Sequence, residues 1–98
     1  MLREILVGIT TDLECVTEAL AAADAIAVAG AAHRVRGSAQ LIGATAVVSA
    51  ATELEHRAKD CVSAGEPIDT SWAEALHEHW STARGAIEAQ IAVARPIT

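Results

Sequence analysis

Phenylalanine and tyrosine are absent from the 98 residues, and tryptophan, proline and cysteine occur twice each. Strands favour β-branched and aromatic side chains, so the missing aromatics argue against a sheet. Basic residues are scarce: 7 Lys and Arg stand against 13 Asp and Glu, a formal net charge of −6. That balance argues against a nucleic-acid surface or a polybasic membrane anchor. No apolar run reaches the roughly 18 residues that a membrane span needs. Residues 1–8 are too short and too mixed for a signal peptide, with Arg3-Glu4 interrupting them. Cys15 and Cys61 lack C-x-x-C spacing and a neighbouring His/Cys pattern, which argues against zinc. The two could pair on paper, but single cysteines inside helical patterns are usually buried thiols of a reduced compartment. A cytoplasmic chain without direct membrane contact is expected.

What the chain has in abundance is alanine, 23 residues against 23 Leu, Ile and Val together. Alanine is the best helix former, and its small side chain lets helices approach closely. One all-α domain over residues 1–98 is expected, with helices at about 2–22, 25–42, 44–63 and 71–94. In the first, Leu2, Ile5, Leu6, Ile9, Leu13, Val16 and Leu20 form one stripe at spacings of three and four. Asp24 suits the N-cap of the second, where Val28, Ala32, Val35, Ala39 and Ile42 share a face. Gly43 suits a left-handed helix end. Val47, Ala51, Leu54, Ala58 and Cys61 align in the third, and Gly65 and Pro67 mark a turn. Ser71-Trp72-Ala73-Glu74 reads as a capping box opening the fourth, which aligns Trp72, Leu76, Trp80, Ala83, Ile87 and Ile91 and fades near Arg95-Pro96. Four such helices with short connections predict an antiparallel four-helix bundle.

The four histidines differ in setting. His77 and His79 are two apart and cannot share a helical face as metal ligands. His79, beside the apolar stripe, is expected to pack. His56, within Glu55-His56-Arg57, is expected on a solvated face. His33 points away from the apolar stripe of its helix. Its neighbours there are Ala29, Gly30, Arg36 and Gly37, with Ile26 and Gln40 one turn further and Leu41 at the edge. Two glycines inside a helix cost roughly 1 kcal/mol each relative to alanine. Beside an outward imidazole they clear room for another protein, while Ile26 and Leu41 offer apolar docking surface. The competing reading is that these glycines serve tight helix packing.

An imidazole ordinarily titrates near about pH 6.5, so a nitrogen lone pair is available near neutrality. Such a nitrogen can take a phosphoryl group as a labile phosphoramidate. Arg36, one turn away, can bring a planar cation to an anion held on the ring. No P-loop or Gly-rich nucleotide motif is present, and no carboxylate cluster beside His33 suits magnesium. The chain is thus expected to accept and pass a phosphoryl group without taking one from ATP, and so not to be an enzyme in its own right.

The run Ala32-His33-Arg34-Val35-Arg36-Gly37-Ser38-Ala39-Gln40-Leu41-Ile42-Gly43-Ala44 resembles the signature of histidine phosphotransfer (HPt) domains. That signature is His, any residue, an apolar residue, Lys or Arg, Gly, then Ser or Ala, with Gly-Ala about ten residues after the His. Glu53-Leu54-Glu55 resembles the apolar-Glu pair of the family's next helix. The likeness is tight from Ala32 to Glu55 and loose elsewhere. Val35 stands for the common Leu, and Arg36 for the common Lys, keeping its charge but not its shape.

The resemblance implies that His33 is the phosphoacceptor, through Nε2. Arg36 would stabilise phosphoryl charge, with Gln40 assisting by a hydrogen bond. Ile26, Gly30, Gly37, Leu41, Glu55 and Lys59 would contribute to receiver docking. Glu55 and Lys59, spaced i,i+4, could equally form a solvated salt bridge. No cofactor belongs to the chain itself, magnesium being expected on the partner receiver domain. The expected partners are the receiver domain of a hybrid kinase and a cognate response regulator. The likeness is to carboxy-terminal modules of tripartite hybrid sensor kinases, here on the cytoplasmic side of an inner-membrane kinase; a free-standing protein is the other form. Alternatives are a phosphoacceptor domain of a chemotaxis-type kinase and a non-phosphorylated helical docking module.

Overall fold

The computed structural model describes residues 2–94, with side chains over 3–89. Four helices follow one another: α1 (Leu2–Ala21), α2 (Ala25–Leu41), α3 (Thr45–Ala64) and α4 (Glu74–Ala94), with a 3-10 turn at Thr70–Ala73 before α4. The described residues contain no strand.

The predicted stripes meet in the middle of the bundle. Leu6, Ile9, Leu13, Val16 and Leu20 of α1 are buried, and Ile5 packs at the margin. From α2 come Val28, Ala32, Val35 and Ala39, from α3 Val47, Ala51, Leu54, Ala58 and Cys61, and from α4 Leu76 and Trp80. Ile42, Trp72, Ala83 and Ile87 pack partly buried against this core. The side chains of Leu2 and Ile91, and residues 95–98 where the last helix was expected to fade, lie outside the described residues. Cys15 and Cys61 are free thiols.

The turns carry out the local chemistry written in the sequence, with two differences. Asp24 caps α2 by accepting a hydrogen bond from the Ala27 backbone N–H at 3.1 Å. Gly65 ends α3 in the left-handed region at φ 67°, where a side chain would crowd the backbone. The first difference is between α1 and α2, where no glycine is available and Ala23 takes φ 54° instead. The second is ahead of α4. The cap is Asp69, whose carboxylate accepts from the Ser71 N–H at 2.8 Å and the Ser71 hydroxyl at 2.7 Å. The Ser71–Glu74 capping box therefore does not form at the helix start, and α4 proper begins three residues later than expected.

Helices α2 and α3 form the most extensively packed pair. Ala29, Ala32 and Ala39 on one, and Ala51 and Ala58 on the other, are buried and bring little side-chain bulk to the core. The packing of this pair brings α3 alongside His33.

Candidate functional site

His33 projects from α2 with its side chain 60% exposed, so the outward orientation expected from helical spacing is the observed one. The glycines beside it are not filling tight contacts. A Cβ at Gly37 would meet nothing within 4 Å, and one at Gly30 would meet only the tip of Arg34 at 3.8 Å. Intramolecular packing therefore gives no reason for either glycine, and the room they leave opens to solvent.

Facing the ring across the α2–α3 contact is Glu55, a buried carboxylate with its side chain only 4% exposed. Its Oε2 lies 3.2 Å from His33 Nδ1 and 3.0 Å from Lys59 Nζ. Its Oε1 lies 3.2 Å from Arg36 Nη1, an ion pair without hydrogen-bond alignment. The Arg36 Nη2 group in turn lies 2.8 Å from His33 Nδ1. One carboxylate thus gathers an imidazole, a guanidinium and an ammonium. Burial pushes the Glu55 carboxyl up, but the hydrogen bond from Lys59 and the positive groups of Arg36, Lys59 and His33 outweigh it and hold the carboxyl below its ordinary range.

Two expectations change here. Glu55–Lys59 is not a solvated pair on the flank of α3, because Glu55 is inside and binds two further groups. Arg36 is not a freely exposed cation either: its side chain is 27% exposed and touches both Glu55 and the ring. The packing of α3 on α2 is the cause, since it sets α3 close enough for a carboxylate 22 residues away to reach the histidine.

A shallow recess of about 640 Å³ adjoins the ring, lined by Ile26, Ala29, Gly30, His33, Glu55, Lys59, Val62 and Ser63. Of the expected docking residues it gathers Ile26, Gly30, Glu55 and Lys59. Gly37, Gln40 and Leu41 lie exposed further along α2 and do not line it. Ile26 and Leu41 are 71% and 75% exposed, at opposite ends of that helix face. Val62 and Ser63 were missed from sequence, although continuing the i, i+4 spacing from Glu55 through Lys59 leads to them.

The other histidines lie elsewhere. His79 is exposed rather than packed, because the core-facing position of that turn is taken by Trp80. His77 Nε2 lies 3.2 Å from the Thr17 hydroxyl, linking α4 to α1. His56 is exposed, as expected. Among the described residues no three His, Cys, Asp or Glu side chains converge to hold a metal ion, and no helix is long and apolar enough to cross a membrane.

Both contacts of the His33 ring fall on Nδ1. Nε2 has no hydrogen-bond partner among the described residues, and the side chain stays 60% exposed. An imidazole so presented, with one nitrogen anchored and two cations nearby, is suited to receiving an anionic electrophile from outside.

A family model described as Hpt domain matches residues 1–91. No curated protein and no solved structure matches the chain. An outward imidazole on the second helix of a helical bundle, together with a family match over nearly the whole length, assigns this chain to the Hpt domains, the histidine phosphotransfer modules of phosphorelays.

Proposed function

We propose that His33 accepts a phosphoryl group from the aspartyl phosphate of a receiver domain and passes it to the aspartate of a response regulator. Hpt domains carry phosphoryl groups between such partners rather than catalysing a reaction of their own. In the forward step the Nε2 lone pair attacks phosphorus in line. The N–P bond forms as the P–O bond to the aspartyl carboxyl breaks, and that electron pair leaves on the carboxylate. Arg36 and Lys59 supply positive charge next to the incoming group, and magnesium belongs to the receiver. Ile26, Gly30, Val62 and Ser63 form the wall against which the receiver docks, with Gly37 and Leu41 extending the surface along α2. Gln40 is at most a peripheral contact, two turns along the helix from the ring.

The observation that carries this reading is the exposed imidazole flanked by glycines whose missing side chains would meet only open space. Fusion to a hybrid sensor kinase and a cytoplasmic site are the settings that fit a chain of this kind.

The test is incubation with a phosphorylated receiver domain and magnesium. Wild type is expected to acquire acid-labile phosphate, and His33→Gln none while retaining its helical circular dichroism. Labelling that persists in His33→Gln would exclude this residue as the acceptor. Receiver binding without any labelling of wild type would favour a docking module. Labelling only by a kinase domain, and not by a receiver, would favour a chemotaxis-type phosphoacceptor.

A further inference from the structure

The two contacts at His33 Nδ1 are mutually exclusive. Glu55 Oε2, at 3.2 Å, can only accept, so it needs a proton on Nδ1. Arg36 Nη2, at 2.8 Å, can only donate, so it needs the Nδ1 lone pair. One ring nitrogen offers one or the other. A 2.8 Å approach of a guanidinium N–H to a protonated Nδ1 would set donor against donor, and the arginine contact is the shorter of the two. Glu55, moreover, has other cations at hand: Oε2 is met by Lys59 at 3.0 Å and Oε1 by Arg36 at 3.2 Å. It does not depend on the imidazole proton.

We infer that Arg36 holds the resting imidazole of His33 in the Nε2–H tautomer, so that accepting a phosphoryl group requires Arg36 to leave Nδ1. This rests on the reading of His33 as the phosphoacceptor, and it gives Arg36 a positioning role before any phosphoryl group is bound. A ring that accepts from Arg36 at Nδ1 carries its proton on Nε2, where no lone pair remains for attack. An arriving phosphoryl anion competes for the guanidinium. Once Arg36 turns outward, Nδ1 takes a proton from water and donates it to Glu55, while Nε2 gives its proton to water. Atoms and charge are conserved in this exchange. Nε2 then forms the N–P bond as the P–O bond to the aspartyl carboxyl breaks, and the positive charge left on the ring is balanced by Glu55 through Nδ1–H. The same guanidinium thus restrains the bare histidine and serves the anion that displaces it.

The tautomer is read directly from two-bond proton–nitrogen correlations of ¹⁵N-labelled protein at about pH 8, where imidazoles are neutral. Wild type is expected to show His33 chiefly as Nε2–H. Arg36→Ala and Arg36→Met are expected to show it chiefly as Nδ1–H, the tautomer ratio moving by roughly tenfold or more, as one charge-assisted hydrogen bond supports. Arg36→Met keeps the aliphatic stem, so lost packing and lost guanidinium are told apart. The same tautomer in wild type and both variants, or a wild type already Nδ1–H, would overturn the inference. No receiver is present in the measurement, so it can fail while His33 is still labelled by a phosphorylated receiver, and the reverse.

Discussion

Glu55 is buried at 3% exposure and still ionised, because Lys59, Arg36 and His33 surround it with positive or hydrogen-bonding groups. Its carboxyl has a folded pKa below the ordinary 4.5. A depressed carboxyl contributes stability that is complete above the unfolded value and is lost as pH falls through the folded one. Wild type should therefore lose stability below about pH 4.5 more steeply than Glu55→Gln, whose amide does not titrate. At neutral pH that variant should be less stable by about 1–2 kcal/mol, a discount on a buried pair because Lys59 remains largely in water. Urea unfolding between pH 3 and 7 reads both effects, and parallel curves for the two proteins would contradict this account. The outward direction of His33 was legible from spacing along one helix. The company it keeps at Nδ1 was not, because periodicity says nothing of what a neighbouring helix brings across.

At the level of the element, α2 is built against its own propensity. Gly30 and Gly37 weaken the helix yet touch nothing that requires them. Gly37→Ala should accordingly stabilise the protein by about 0.5–1 kcal/mol in thermal or urea unfolding. Gly37→Leu should leave the helix intact by circular dichroism while slowing phosphoryl transfer from a receiver at least about tenfold, since its side chain projects beside the ring. If the leucine variant transferred at the wild-type rate, the clearance argument would fall. The helices themselves were legible because stripes, caps and glycine ends agree. The misplaced start of α4 has a local cause: Asp69 and Ser71 both suit a cap, and the aspartate, two residues earlier, takes the Ser71 N–H and hydroxyl together.

Across the whole molecule the charge is −6, yet beside His33 the recess presents Lys59 next to an apolar wall, with the partly buried Arg36 against the ring. Such a patch, cationic near the reacting nitrogen and apolar beyond it, fits a partner that brings a phosphoryl anion on a partly apolar face. Val62 is 47% exposed at the edge of the recess and serves no intramolecular core. Val62→Asp should raise the receiver concentration for half-maximal transfer by about tenfold with little change in the rate at saturation, because the wall binds without touching the reacting atoms. A change confined to the saturated rate would instead place Val62 in the chemistry.

Four amphipathic helices, their approximate bounds and an imidazole facing away from the core could be read from the chain segment by segment. Each follows from propensity and from the 3.6-residue period, which act within one segment. The burial of Glu55, its simultaneous hold on His33, Arg36 and Lys59, and the run of the recess toward Val62 rather than toward Leu41 emerge once the helices are packed together. Those features depend on how far apart α2 and α3 lie and how each is rotated about its axis. Helix packing sets both, through contacts between residues distant in the chain.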